Sequence, residues 1–235
     1  MLSKYSANLK SALKVLIYII LTILLVSFAF LPTNLVSIGA IFGRFAIYTF
    51  WIIAIPGILL RFKVKGILRN LQIVLMSARR QLGILMFVLV LVHYLWSRGF
   101  AYVKFGIPAS MPTFQIMGFV AFLMLIPLAI TSNNFFQKRM KKWWQILHYL
   151  SYPIMVLLIF HTALQPSNTE ILDGNFNLSN TIQYAIPTVI ILIIQAVSWL
   201  YLLRYKTGKK SLVTIASCQP KFVETVIVNL LNLLS

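Results

Sequence analysis

The chain has 235 residues, of which 60% are hydrophobic and only 10% charged. Soluble domains carry roughly a quarter charged residues, so composition excludes that class, and the length fits one integral membrane domain. The net charge of +18 comes from 21 Lys and Arg against three acids, Glu170, Asp173 and Glu224. These cations cluster between apolar blocks instead of following one face, which argues for membrane loops and against nucleic acid as a partner.

Six apolar blocks follow one another: about Val15–Leu31, Phe45–Leu60, Gln81–Trp96, Phe114–Thr131, Trp143–Leu164 and Ile182–Leu203. Several are near the lower limit of the roughly 17–25 residues that a spanning helix needs, so their ends are expected to extend into the flanks. None alternates like a barrel strand, and a helix satisfies its own backbone in lipid. The expected fold is an all-α membrane protein: a six-transmembrane-helix bundle over residues 15–205, between a segment 1–14 and a tail 206–235. The first block is longer than a signal-peptide core and no A-x-A site follows, so it is expected to be retained.

Eighteen of the cations fall on one side of this topology, from Lys4, Lys10 and Lys14 through the Arg61–Arg80 and Lys138–Lys142 clusters to the tail. Arg44, Arg98 and Lys104 fall on the other. The excess of positive charge predicts cytoplasmic N and C termini for this multi-pass membrane protein, and the inner (plasma) membrane is its expected location. Two longer connections, 98–112 with Pro108 and Pro112 and 165–181 with Asp173-Gly174, lie on the opposite face.

The chemistry-bearing residues inside the blocks are three histidines, His93, His148 and His161. Ionisable groups at membrane depth are expensive and default to a functional role. His93 lies five residues before Arg98 and His161 five before Pro166, so both occupy the outer half. His148 lies six past Lys142, in the inner half, and roughly 20 Å along the axis from His161. His93 and His161 can therefore form one outer site, with His148 half of an inner one. Thirteen residues do not return an ideal helix to the same face, but Ser151-Tyr152-Pro153 lies between the two histidines, and proline kinks a helix.

Helix-to-helix hydrogen bonding is the plain alternative for each histidine. Zinc wants more ligands than two imidazoles at one depth, and proton relays use intramembrane acids, of which the blocks have none. A bis-histidine b-type haem survives this elimination best. The single Cys218 excludes an internal disulfide, a four-thiolate cluster and the C-x-x-C-H attachment of c-type haem.

Arg79-Arg80-Gln81-Leu82-Gly83 followed by His93-Tyr94 resembles the third helix of the ferric-reductase-like transmembrane family. Leu128-Ala129-Ile130-Thr131-Ser132, then Lys142-Trp143-Trp144-Gln145-Ile146-Leu147-His148-Tyr149 with His161, is similar to its fourth-to-fifth helix region. Gly43-Arg44-Phe45-Ala46, Pro56 and Arg61 are similar to its second. The resemblance covers roughly residues 40–206. Family members usually carry two histidines on the third helix, fourteen apart; here Arg79 stands at the second position and is no ligand.

In that departure the chain resembles, within this family, the haem-binding membrane subunits of bacterial methionine sulfoxide reductase systems. The resemblance implies that His93 and His161 ligate an outer haem b, and that His148 serves an inner redox group, a second haem or an FMN. It implies that Arg79 and Arg80 either hold a haem propionate or flavin phosphate or are ordinary positive-inside anchors. The implied donor is a cytoplasmic flavin reductase or quinone pool, and the implied acceptor a periplasmic methionine sulfoxide reductase.

Two other readings stay open: a ferric-reductase or NADPH-oxidase-like membrane domain without its flavin module, and a non-redox transport or structural protein. In the tail, Ser211–Ser217 and Phe222–Val228 read either as a hairpin like the first strands of a flavin-binding barrel or as an amphipathic helix. No nicotinamide or P-loop pattern occurs, so electrons would come from another protein or a quinol.

Overall fold

The computed structural model describes residues 2–108, 110–165 and 178–216. Among these residues every regular element is helical. Six helices are long and apolar enough to cross a membrane: Lys4–Phe30, Val36–Arg61, Ile67–Phe105, Thr113–Ile130, Lys142–Ala163 and Leu178–Leu202. The chain is a multi-pass helical membrane protein.

The first, second, third and sixth helices outrun their apolar blocks, most of all the third, where the block Gln81–Trp96 sits inside a helix of 39 residues, whereas the fourth and fifth match theirs in length. At 1.5 Å per residue that helix is roughly 58 Å long, about twice the hydrocarbon thickness. Apolarity marks only the part at membrane depth; the backbone stays helical until a residue ends it. Gly66 (φ 63°) and Gly106 (φ 84°) bound this helix in the conformation that glycine adopts without a Cβ clash. The expected connection 98–112 therefore shrinks to 106–112.

Two helices contain a π-turn, Leu95–Gly99 just after His93 and Thr181–Ala185 near the start of the sixth helix. Such turns insert one residue and re-aim the side chains beyond it, often at functional sites. The fifth helix is broken into Lys142–His148 and Ser151–Ala163. Pro153 lacks an N–H and its ring crowds the carbonyl four residues back, which is Tyr149, the residue where the first segment stops. The sixth helix runs on through Ala216, so a strand beginning at Ser211 is not formed. The second tail segment, Phe222–Val228, and the turn Asp173-Gly174 lie outside the described residues.

The third helix is the hub. Ala78, Leu82, Leu85, Leu89 and Val92 form a stripe at helical spacing that packs against Leu13, Ile17, Ile20 and Leu24 of the first helix. From another face, Met86 joins Ala121, Leu125 and Ile154 of the fourth and fifth helices. The outward faces carry exposed apolar side chains such as Leu25 (73%) and Ile193 (55%), as a lipid-facing surface requires.

Lipid is as apolar as leucine, so burial contributes little to helix association; close packing and interhelical hydrogen bonds contribute more. Trp51 Nε1 donates to Thr188 Oγ1 at 3.0 Å, tying the second helix to the sixth. At the far end of the same pair, Arg61 donates to Ser198 Oγ at 2.9 Å and lies over the Trp199 ring at 4.6 Å. Trp199 Nε1 in turn donates to Tyr152 O–H at 2.8 Å. Replacing Trp51 by Phe removes one such tie and should cost about 1 kcal/mol, read as a lower unfolding midpoint in detergent; an unchanged midpoint would show that the bond contributes nothing.

Candidate functional site

His93 and His161 come from different helices and face each other with ring centroids 6.3 Å apart and planes inclined at 75°. His93 Nδ1 donates to the backbone carbonyl of Gly39 on the second helix at 2.9 Å. His161 Nδ1 donates to the carbonyl of Phe114 on the fourth helix at 2.7 Å. A carbonyl can only accept, so in the neutral ring each Nδ1 carries the proton and each Nε2 keeps its lone pair. Metal-binding histidines are oriented by this kind of second hydrogen bond, which fixes the tautomer and the ring plane.

Both rings line a cavity of about 970 Å³ enclosed by the second to sixth helices. Its walls are largely apolar, from Phe50, Val90, Phe122 and Leu125 among others, with a few polar groups toward one end. That is the usual make-up of a site for a flat, largely apolar cofactor with a polar edge. In the wall Tyr94 stacks on Phe122 at 5.2 Å, and Phe122 is backed by Phe87 at 6.0 Å.

The polar end carries two arginines, Arg44 and Arg98. Gln115, turned so that both amide atoms are satisfied, accepts from Arg98 Nε and Nη2 at 3.0 Å each and donates to Tyr102 O–H at 3.0 Å. Arg98 sits within the π-turn that follows His93, which sets its direction relative to the ring. No acid lies among the described residues to neutralise the two guanidinium groups. The cavity therefore pairs two open imidazole nitrogens with a cationic rim, suited to a metal-centred group bearing carboxylates.

The fit to an iron porphyrin can be tested on the ring spacing. An iron about 2 Å from each of two imidazole nitrogens, with each ring centre about 1 Å further back, puts the centres about 6 Å apart. The observed separation meets that requirement with both Nδ1 atoms already turned away to carbonyls. Among the described residues no group of three or more His, Cys, Asp or Glu could hold a bare metal ion.

His148 lies elsewhere. It is half-buried, its ring rests 4.0 Å from that of Trp144, and its Nδ1 donates to the Trp144 carbonyl at 2.9 Å. It does not line the cavity that holds the other two histidines. Arg79 is close enough for its charge to reach His148, and it also interacts with Arg61 and Tyr152. Arg80 donates to Asn134 Oδ1 on the short helix Asn134–Met140. Neither Arg79 nor Arg80 lines the cavity; fourteen residues along the helix put Arg79 about 21 Å from His93.

Sequence reasoning missed Arg44, Arg98 and Gln115 as cavity residues. A signal existed: Arg44 and Arg98 are two of only three cations on their side, and each flanks an apolar block. The two accepting carbonyls, by contrast, belong to Gly39 and Phe114, and backbone acceptors leave no mark in a side-chain pattern.

A family model described as ferric reductase like transmembrane component matches residues 17–159. Among curated proteins, the chain is similar to the protein-methionine-sulfoxide reductase heme-binding subunit MsrQ of Xanthomonas campestris pv. campestris (strain 8004), 42% identical over 95 residues. That match covers 38% of this chain and 43% of the relative. The subunit of the same name from Xanthomonas oryzae pv. oryzae (strain MAFF 311018) is 39% identical over 95 residues, covering the same shares. The matched region thus spans less than half the length of these relatives. No solved structure matches the chain significantly.

Proposed function

The chain belongs to the ferric reductase like transmembrane component family, and from that premise we propose that it is a transmembrane electron carrier with a b-type haem held between His93 and His161. The observation that carries this reading is the facing pair of imidazoles, 6.3 Å apart, each with Nδ1 committed to a neighbouring helix's carbonyl. The relatives named as heme-binding subunits support it.

Haem supplies one-electron chemistry by cycling between ferric and ferrous iron. The protein's own contribution is ligation, orientation and environment. Nε2 of His93 and of His161 would hold the iron, and the Gly39 and Phe114 carbonyls raise the basicity of both rings by taking their Nδ1–H. Phe50, Phe122 and Leu125 would keep water from the bound group. Arg44 and Arg98, with Gln115 fixing the latter, would hold its carboxylates. Arg79 and Arg80 are assigned away from this group, because they lie at the opposite end of the third helix.

The end marked by His148, Arg79, Arg61 and Tyr152 is assigned to electron entry, with a second haem or an FMN as the group received there. The many cations around it support a cytoplasmic orientation and an acidic docking surface on a flavin reductase, or access for a quinol. Electrons would leave at the His93 end toward an acceptor on the outer face of the inner membrane; a periplasmic methionine sulfoxide reductase is the acceptor suggested by the relatives' names.

Reduced-minus-oxidised spectra of the purified protein should show a b-type signal. His93→Ala and His161→Ala should each abolish the same component, and His148→Ala should spare it. Loss of all signal in His148→Ala with none in His93→Ala would overturn the pairing, and no b-type signal after haem supplementation would end the redox reading.

Replacing Arg44 or Arg98 by Gln removes a positive charge from the wall of the cavity that would hold the iron. That relatively favours the ferric state, so the midpoint potential should fall, on the order of 50 mV per substitution; an unchanged potential in both would remove these arginines from the site. For orientation, cysteines introduced at Lys104 and Lys138 should react with an impermeant thiol reagent from opposite sides of sealed vesicles, the former from the periplasmic side.

A further inference from the structure

The two histidines are seated in the same way on two unrelated helices. His93 donates to the carbonyl of Gly39, and four residues further along that helix is Gly43. His161 donates to the carbonyl of Phe114, and four residues further along is Gly118. A Cβ added to Gly43 would lie 2.8 Å from His93 Nδ1, and one added to Gly118 would lie 2.6 Å from His161 Nδ1. Real Cβ atoms essentially never approach a heavy atom so closely. In a regular helix the carbonyl at position i already accepts from the amide at i+4. Here each imidazole reaches that carbonyl as a second donor by lying over the residue at i+4, where an added Cβ would stand in its way.

We propose that Gly43 and Gly118 are positioning residues for the haem ligands: each makes the notch through which an axial imidazole reaches the carbonyl one turn earlier, and so fixes its Nδ1–H tautomer and leaves Nε2 for the iron. This rests on the bis-histidine reading and adds to it residues that touch no cofactor themselves. Among the described glycines, these two are the ones whose added Cβ would meet a histidine ring. Gly83, on the histidine-bearing third helix itself, has nothing within 4 Å of an added Cβ, and at Gly57 the nearest atom is 3.7 Å away. Gly39 serves the same approach differently: its Cβ would meet Ser97 Oγ at 2.7 Å, so Gly39-Ala40-Ile41-Phe42-Gly43 presents two small residues one turn apart to the third helix.

The test uses the full chain with its three histidines ring-labelled with ¹⁵N. In haem-free wild type in bilayers, solid-state NMR should report protonated Nδ1 at His93 and His161, with His148 as an internal reference. Gly43→Ala should disturb His93 alone, and Gly118→Ala His161 alone. After haem loading, each variant should bind haem about 10–100-fold more weakly than wild type, while Gly83→Ala should match it.

Protonated Nε2 at both His93 and His161 in wild type would overturn the proposal, whether or not the alanine variants fold. So would Gly43→Ala and Gly118→Ala variants that keep both the wild-type tautomers and an affinity within twofold of Gly83→Ala. If wild type takes up no haem yet each alanine variant disturbs only its own histidine, the electron-carrier reading fails and the notch stands.

Discussion

An imidazole inside a bilayer cannot leave its N–H without an acceptor, and in lipid the nearest acceptors are backbone carbonyls already engaged in helices. His93 and His161 both meet this constraint by donating across a helix interface, to Gly39 and Phe114. Much of the local architecture follows. The second helix must approach the third closely enough for one bond, and the fourth must approach the fifth for the other. With both bonds made, the two rings face each other across a shared cavity instead of turning into the helix interfaces.

The same constraint accounts for the irregular features around that cavity. Helix packing in lipid gains from small residues, and Gly39 and Gly43 supply them where the third helix crosses. The π-turn after His93 changes the register of the helix just beyond the ring, bringing Ser97 and Arg98 to the cavity. Pro153 breaks the fifth helix below His161, so that the segment carrying His148 need not continue the axis of the segment carrying His161. The two histidines of that helix thereby acquire separate surroundings, one in the cavity and one against Trp144.

Charge is arranged with the same economy. Cations gather at the Arg79 end, where Arg61 is held by Ser198, Tyr152 and Trp199, with no carboxylate among the described residues. At the His93 end Arg44 and Arg98 are the cations among the described residues that line the cavity. On the proposed reading these two match the propionates of a bound haem, and the crowded end meets a soluble electron donor.

The sequence by itself determined the class, the six spans, and which histidines share a depth, because each depends on hydropathy and rise per residue. It also marked the break near Pro153, since proline carries its own backbone consequence. It placed the ends of the helices poorly: the third extends well beyond its apolar block until Gly66 and Gly106 stop it, and the sixth runs through Ala216 where β-branched residues suggested a strand. Only the tertiary structure decided which way the imidazoles turn, that Arg44 and Arg98 and not Arg79 and Arg80 line the cavity, and that Gly43 and Gly118 lie beneath the two rings. Those facts belong to contacts between helices far apart in sequence, made through backbone carbonyls and through the absence of side chains, and a residue-by-residue pattern carries neither.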